Sequence, residues 1–418
     1  MNHRDTAPLR LVVVYHELPY PVNHGGRLDV WRRMQALAAQ GVQIHLVCWR
    51  NPALQETVPT PDSPIWATVQ GLTILEEKGK FASPHLTLNL PGYARRRLLS
   101  RTDWDRVEAD LTAFRPDVLL LEGPFAYAAA DRIATRFNLP MAYRSHNIEA
   151  RYARFILARA KGWRARLNAW LNVPGIDRLE NAIFRRARWY FDISPEDAAH
   201  WKKLGHAHGE WLPPVVEQAW ADRTSATSDW QPAYDVGYLG NLYQPNNVEG
   251  ILWYLNEVVP KIRAQRRDFR GFIAGSRPVA AVRDAARNAG IDLIENPPDA
   301  EPVLRNARVL INPVFAGSGV NTKCIEMLFT PAGLVATSVA LQGLANEARQ
   351  CFGVADEPQS FADLILRSQG GAATQKQQRD AARACYDSRR MQRLITVLNE
   401  MSSCTGNQTE EVARHASA

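Results

Sequence analysis

Short apolar runs and amphipathic stretches alternate along this chain, break off once, and then start again. An apolar run of about six residues is too short for a helix but suits a strand covered on both faces. Residues 10–15 (Arg-Leu-Val-Val-Val-Tyr) form the first such run. Residues 27–40 follow with Leu28, Trp31, Met34 and Leu37 at helical spacing, and Gly41 closes the segment. Residues 42–48 form the next run. Strand, helix and strand in that order predict a parallel α/β sheet. Helices at 104–114 and 126–137 and strands at 117–122, 140–144 and 188–193 continue the rhythm. It halts near 212–235, where Pro213-Pro214 leads into a polar stretch rich in Ser, Thr, Asp and Pro. Strands at 235–239, 270–274, 291–294, 309–312 and 333–337 then alternate with helices at 247–264, 278–289, 299–306 and 319–329. Two doubly wound α/β domains are expected, facing a central cleft that takes the ligand. The expected boundaries are 1–212 and 213–385. A helix at 386–402 packs back on the first domain, and 403–418 is a disordered polar tail.

Composition excludes several alternatives. With 46% hydrophobic and 22% charged residues the chain is not intrinsically disordered. No stretch approaches the ~18 apolar residues of a membrane span. The first apolar run meets Glu17 at once and has no cleavage site, so a signal peptide is not expected. Cys48, Cys324, Cys351, Cys385 and Cys404 are scattered without metal spacing, so neither disulfides nor a structural metal is expected. A reducing cytoplasm fits. Charge is uneven. Residues 1–212 hold 29 Lys and Arg against 21 Asp and Glu, whereas 213–418 hold 21 against 22. A basic first half predicts an anionic partner: nucleic acid, phosphorylated lipid or a membrane surface. Arg95-Arg96-Arg97 and the stretch 151–189, with Trp163, Trp170, Phe184 and Trp189, carry most of this character. An ordinary solvated helix face with core aromatics fits the same pattern.

The segment 309–344 carries the most chemistry. A strand ends at Pro313, the loop Gly317-Ser318-Gly319 follows, and a helix is expected to open at Val320. A helix start presents unpaired N–H groups and partial positive charge, and flanking glycines let phosphates approach the backbone. Lys323 falls on the first turn, where a cation is unfavourable unless an anion sits beside it. Glu326 lies three residues on, on the same face, where it can accept hydrogen bonds from sugar hydroxyls. An amphipathic helix with an exposed Lys–Glu pair satisfies the same spacing.

This segment resembles the nucleotide-sugar site of family 4 glycosyltransferases, whose GT-B fold has two Rossmann-like domains. The matching residues are Gly317-Ser318-Gly319, Lys323-Cys324-Ile325-Glu326-Met327, Leu334-Val335-Ala336-Thr337 and Gln342-Gly343-Leu344. The resemblance implies that Glu326 binds the ribose, and that Lys323 and the helix start at Gly319–Val320 hold the diphosphate. Residues 236–260 resemble the first strand, loop and helix of the nucleotide domain. Gly240 opens the loop, Asn241 stands where many members have a cation, and Arg277 compensates. In the first half, Gly25-Gly26 matches a loop near the donor diphosphate, and His146 matches a position beside the reacting sugar carbon. Two departures stand out. Ser318 occupies the place of a second Glu that faces the transferred sugar, and Thr330-Pro331-Ala332-Gly333 alters the usual turn before the next strand.

The implied activity is transfer of a sugar from a nucleotide-diphosphate sugar to a glycan or polyprenyl-diphosphate-linked acceptor. It is expected to be retaining and metal-independent, without a cofactor, in cell-surface polysaccharide or glycolipid synthesis. UDP-sugar is the favoured donor, because UDP is the commoner carrier in the family. The expected location is cytoplasmic, peripheral on an anionic membrane face, with no nucleic acid partner. Two other readings share the fold: a nucleotide-sugar epimerase, which the Ser318 departure disfavours, and a non-catalytic nucleotide-sugar-binding or scaffold protein. Asp103-Trp104-Asp105 formally matches a metal-holding Asp-x-Asp, but Thr102 or Asp103 as a helix cap explains it more simply. Ser194 fits either a strand-end site residue or a helix cap.

Overall fold

The computed structural model describes residues 8–22, 25–51, 58–79, 89–160, 162–317, 319–368 and 376–416. The chain folds as two compact units, Met1–Leu212 with Arg389–Ala418, and Pro213–Ser388.

Among the described residues, unit 1 is built on seven parallel strands: β1 (Arg10–Tyr15), β2 (Gln43–Arg50), β3 (Gly71–Glu76), β4 (Val118–Glu122), β5 (Met141–Ser145), β6 (Trp189–Asp192) and β7 (Gly209–Trp211). Their order is β3-β2-β1-β4-β5-β6-β7. The order reverses between β1 and β4, where Tyr15 pairs with Glu122. Such a reversal opens a crevice at the carboxyl ends of the strands. Val12, Val14, Leu119 and Leu121 face a core shared with Trp104, Val107 and Leu111 of the helix Arg101–Phe114. That helix starts earlier than expected because Ser100 is the cap. Its hydroxyl accepts from Asp103 N–H at 3.1 Å, and the Asp103 carboxylate accepts from Ser100 N–H at 2.8 Å. This reciprocal box commits Asp103 to capping. Ser194 likewise caps the helix Pro195–Lys203, accepting from Asp197 N–H at 3.0 Å.

Among its described residues, unit 2 has six parallel strands: β8 (Tyr234–Leu239), β9 (Gly271–Gly275), β10 (Asp292–Glu295), β11 (Ala307–Asn312), β12 (Gly333–Ala336) and β13 (Gly353–Val354). The order β10-β9-β8-β11-β12-β13 reverses between β8 and β11. The long helix expected at 247–264 is interrupted. Pro245–Trp253 and Val259–Gln265 are joined by a wide π turn at Tyr254–Val258. Pro260 explains the interruption, since its ring and missing N–H disturb the turn before it.

The structure departs from expectation in three further places. Unit 2 runs to Ser388 rather than 385, because Val216 N–H donates to Tyr386 O at 2.9 Å and Val216 pairs with Asp387. Residues 403–416 are helical rather than disordered, continuing the helix Met391–Ala416. Buried Met391, Leu394, Val397, Leu398 and Met401 nucleate that helix, after which each added residue gains a hydrogen bond cheaply. Gly25 and Gly26 form the first turn of the helix Gly25–Ala39 rather than a loop. Helical backbone is open to glycine, and buried Val30, Trp31, Met34 and Leu37 hold the rest of the helix in place.

Candidate functional site

The residues singled out in unit 2 converge where β8 and β11 end. Gly240 follows β8. A Cβ there would lie 2.5 Å from Tyr238 Oη and 3.2 Å from Lys323 Nζ, so a side chain would press on the tyrosine hydroxyl and crowd the lysine head. Gly275 ends β9 so close to this turn that a Cβ would lie 1.7 Å from Gly240 O. Ser276 Oγ donates to Asn241 Oδ1 at 2.8 Å and joins the two turns. Asn246 Nδ2 donates to Ala316 O at 3.0 Å, which ties the β8 loop to the loop after β11. Arg277 sits exposed just beyond, at φ 50°, its guanidinium 3.8 Å over the Tyr243 ring.

Lys323 is the centre of this arrangement. Its Nζ donates to Asn247 Oδ1 at 2.8 Å and to Tyr238 Oη at 3.0 Å, and it stands 4.9 Å from the Tyr238 ring centroid. Both hydrogen-bond partners are neutral, so they aim the ammonium without cancelling its charge. Glu326 follows one turn along the same helix, half-buried.

The helix does not start where expected. It spans Thr322–Leu328, capped by Asn321, whose side chain accepts from Lys323 N–H at 3.2 Å. Gly319 has φ 65°, outside helical backbone, and this breaks the expected start at Val320. Gly319 and Val320 instead back onto Gly343, where a Cβ would lie 2.7 Å from Gly319 O. Gly317 is exposed with open space around its missing side chain. Ser318 lies outside the described residues. Cys324 is buried against Asn312, and burial pushes its thiol up to about 11, so it is inert packing.

Unit 1 places His146 immediately after β5. His146 Nε2 lies 2.9 Å from Glu122 Oε2, so a proton on Nε2 satisfies the carboxylate. Glu122 in turn accepts two hydrogen bonds from Arg33, at 2.7 and 3.1 Å. Arg33 also donates to Asp29, at 2.7 and 3.2 Å, and Arg144 reaches Asp29 at 3.4 Å. These four charged side chains are buried. Burial alone would raise Glu122, but the Arg33 charge and the hydrogen bond from His146 outweigh it and hold the group at about 2. Gly123 has φ 68°, and a Cβ there would stand 3.5 Å from the His16 ring and 4.0 Å from His146 Nδ1. Two imidazoles therefore border Gly123. Burial lowers the basicity of His16.

The sequence pattern carries little of the network around His146. Asp29 and Arg33 sit four apart on a helix, a spacing indistinguishable from an exposed ion pair. Glu122 at the end of DVLLLE was the available signal, a charge closing a run buried on both faces.

The sequence model described as glycosyl transferases group 1 matches residues 233–368. The matched segment, about a third of the chain, resembles the group 1 glycosyltransferases in sequence. The match takes in β8 to β13 and every unit 2 residue of the candidate site. An uncharacterised 44.6 kDa protein in the cps region of Klebsiella pneumoniae is 23% identical over 85% of this chain and 90% of its own length. Among solved structures, sucrose-phosphate synthase from Thermosynechococcus elongatus superposes with a TM-score of 0.60 at 13% identity, covering 97% of this chain and all of that one. Anabaena HepE in complex with UDP-glucose gives 0.54 at 10% identity, covering 95% and 99%. At these identities the structures establish the GT-B fold of this chain and nothing beyond it. No helix among the described residues is long and apolar enough to cross a membrane.

Proposed function

We propose that this chain is a glycosyltransferase that takes its sugar from a nucleotide-diphosphate sugar bound where β8 and β11 end in unit 2. The observation that carries the reading is Lys323, an ammonium aimed by the neutral oxygens of Tyr238 and Asn247 beside a turn that a side chain at Gly240 would crowd. When the bond from C1 to the diphosphate breaks, negative charge grows on the leaving oxygen. A preoriented ammonium stabilises that charge without reorganising. Arg277, stacked on Tyr243, supplies a second cation at the rim, and Glu326 accepts the ribose hydroxyls. These groups perform the charge stabilisation without a metal ion or cofactor. The UDP-glucose complex of a protein with the same fold favours a UDP-sugar as donor.

Unit 1 takes the acceptor in this proposal, and His146 contacts the transferred sugar with retention at its anomeric carbon. The acceptor is a glycan or a polyprenyl-diphosphate-linked glycan at the cytoplasmic face of an anionic membrane, and nucleic acid is not a partner. The cps-region relative supports a role in cell-surface polysaccharide synthesis. A thermal-shift screen against UDP, GDP, ADP and CMP, with and without Mg²⁺, tests the donor assignment. A ligand at 100 times its dissociation constant adds about 2.7 kcal/mol. A metal-independent shift with UDP is expected, and silence across the panel would sink the donor site.

A further inference from the structure

We propose that the helices Glu149–Arg159 and Trp163–Trp170 of unit 1 form a surface that docks on an anionic lipid bilayer. A helix on the outside of a globular unit normally turns its apolar stripe inward. The Trp163–Trp170 helix does the reverse. Ala169 is its only buried residue, while Trp163 is 70% exposed, Leu167 49% and Trp170 46%. At 100° per residue these three fall on one face, and Ala169 lies roughly 130° around from it. Arg164 and Arg166 fall on the two sides of that stripe, and the Arg164 guanidinium stands 5.2 Å from the Trp163 ring centroid. Ile156 on the preceding helix, which packs against this one, is likewise exposed at 41%.

The charge pattern names the occupant. Residues 151–170 contain Arg151, Arg154, Arg159, Lys161, Arg164 and Arg166 and no carboxylate. Tryptophan and arginine together suit the boundary between headgroups and acyl chains. The indole sits at headgroup level, and arginine stems lie along apolar surface while their heads reach phosphate. Leu167 and Ile156 gain by entering acyl chains and offer nothing to stack on a nucleic acid base. Asp177 on the neighbouring helix is already paired with Arg154, so the remaining arginines of this surface meet no exposed carboxylate within 151–170 and lack the mixed charge by which two copies of a chain complement one another.

This deepens the proposal of a membrane-borne acceptor. Vesicle binding is read without donor, however, so failure to dock and failure to bind UDP are separate results. The full chain is mixed with phosphatidylcholine vesicles or with vesicles containing 30% phosphatidylglycerol and then sedimented. Binding to the anionic vesicles only, weakening with added salt, is expected. Trp163→Ser with Leu167→Ser abolishes it. Arg164→Gln with Arg166→Gln weakens it by about 30-fold, at roughly fivefold per basic residue near the surface. Both variants keep the wild-type thermal midpoint and UDP response. Absence of wild-type binding, or equal binding by both variants, overturns the proposal. So does tighter binding to single-stranded oligonucleotide than to vesicles. A wild-type dimer that the Trp163/Leu167 variant converts to monomer, without vesicle binding, gives the surface to a second copy instead.

Discussion

Lys323 and Asn247 lie 76 residues apart, and the lysine ammonium donates to the asparagine Oδ1 at 2.8 Å. A neutral partner orients the cation and leaves its charge for a ligand. Asn247→Asp replaces it with a carboxylate in nearly the same space, which neutralises the ammonium. Donor affinity should fall by about tenfold or more, equivalent to about 1.4 kcal/mol, with the thermal midpoint unchanged or slightly raised. Donor titration beside a melting curve checks it. Unchanged affinity would remove Lys323 from the diphosphate.

Gly275→Ala tests the packing that sets the β8 turn. The added methyl would lie 1.7 Å from Gly240 O, a backbone atom that cannot step aside. Overpacking of this kind costs about 1–3 kcal/mol. The stability measured in urea should fall by that amount. Gly317→Ala, where the new methyl meets open space, should be within about 0.5 kcal/mol of wild type.

The buried Arg33 holds two carboxylates at once. Arg33→Met leaves Glu122 and Asp29 buried without their main partner, which should cost about 3–5 kcal/mol. Replacing all three by apolar residues should cost much less, because no unpaired charge then remains buried. Denaturant unfolding of the single and triple variants separates the two outcomes.

Stability should fall as pH rises from about 5 to 8. Burial raises Glu149 to about 7 and Glu180 to about 8, and burial together with the Asp197 charge raises Asp192 to about 7. In that window the unfolded chain has already released these protons and the folded chain still holds them. Folding therefore binds protons, and raising the pH opposes it. Glu122 and Asp29, held low by Arg33, contribute stability that disappears only in more acidic solution. Glu180 also accepts the N–H groups of Glu149 and Ala150, at 2.7 and 3.1 Å, and Glu180→Gln retains one such acceptor. That variant should flatten the decline, by at most about 1.4 kcal/mol across each pH step of one in the window. A slope equal to wild type would contradict the assignment.

The central strands were legible because parallel strands buried on both faces must be nearly all apolar, as in Leu11–Tyr15 or Val118–Leu121. The edges were not. β3, β7 and β13 are short or mixed in character and draw their identity from a neighbour. The Lys323–Glu326 pair was legible because three residues along a helix is a fixed geometry. The helix start was misplaced because Asn321 and the Gly319 backbone compete for it, and only the fold decides between them. Tyr238 and Asn247 were invisible as lysine partners, since contact across 76 to 85 residues leaves no local pattern.

Isothermal titration of UDP and UDP-glucose into wild type, Glu326→Ala and Lys323→Gln tests the donor site most directly. The account predicts metal-independent binding by wild type, at least tenfold weaker binding by each variant, and thermal midpoints within a degree or two of one another. Wild-type affinity in both variants would contradict it.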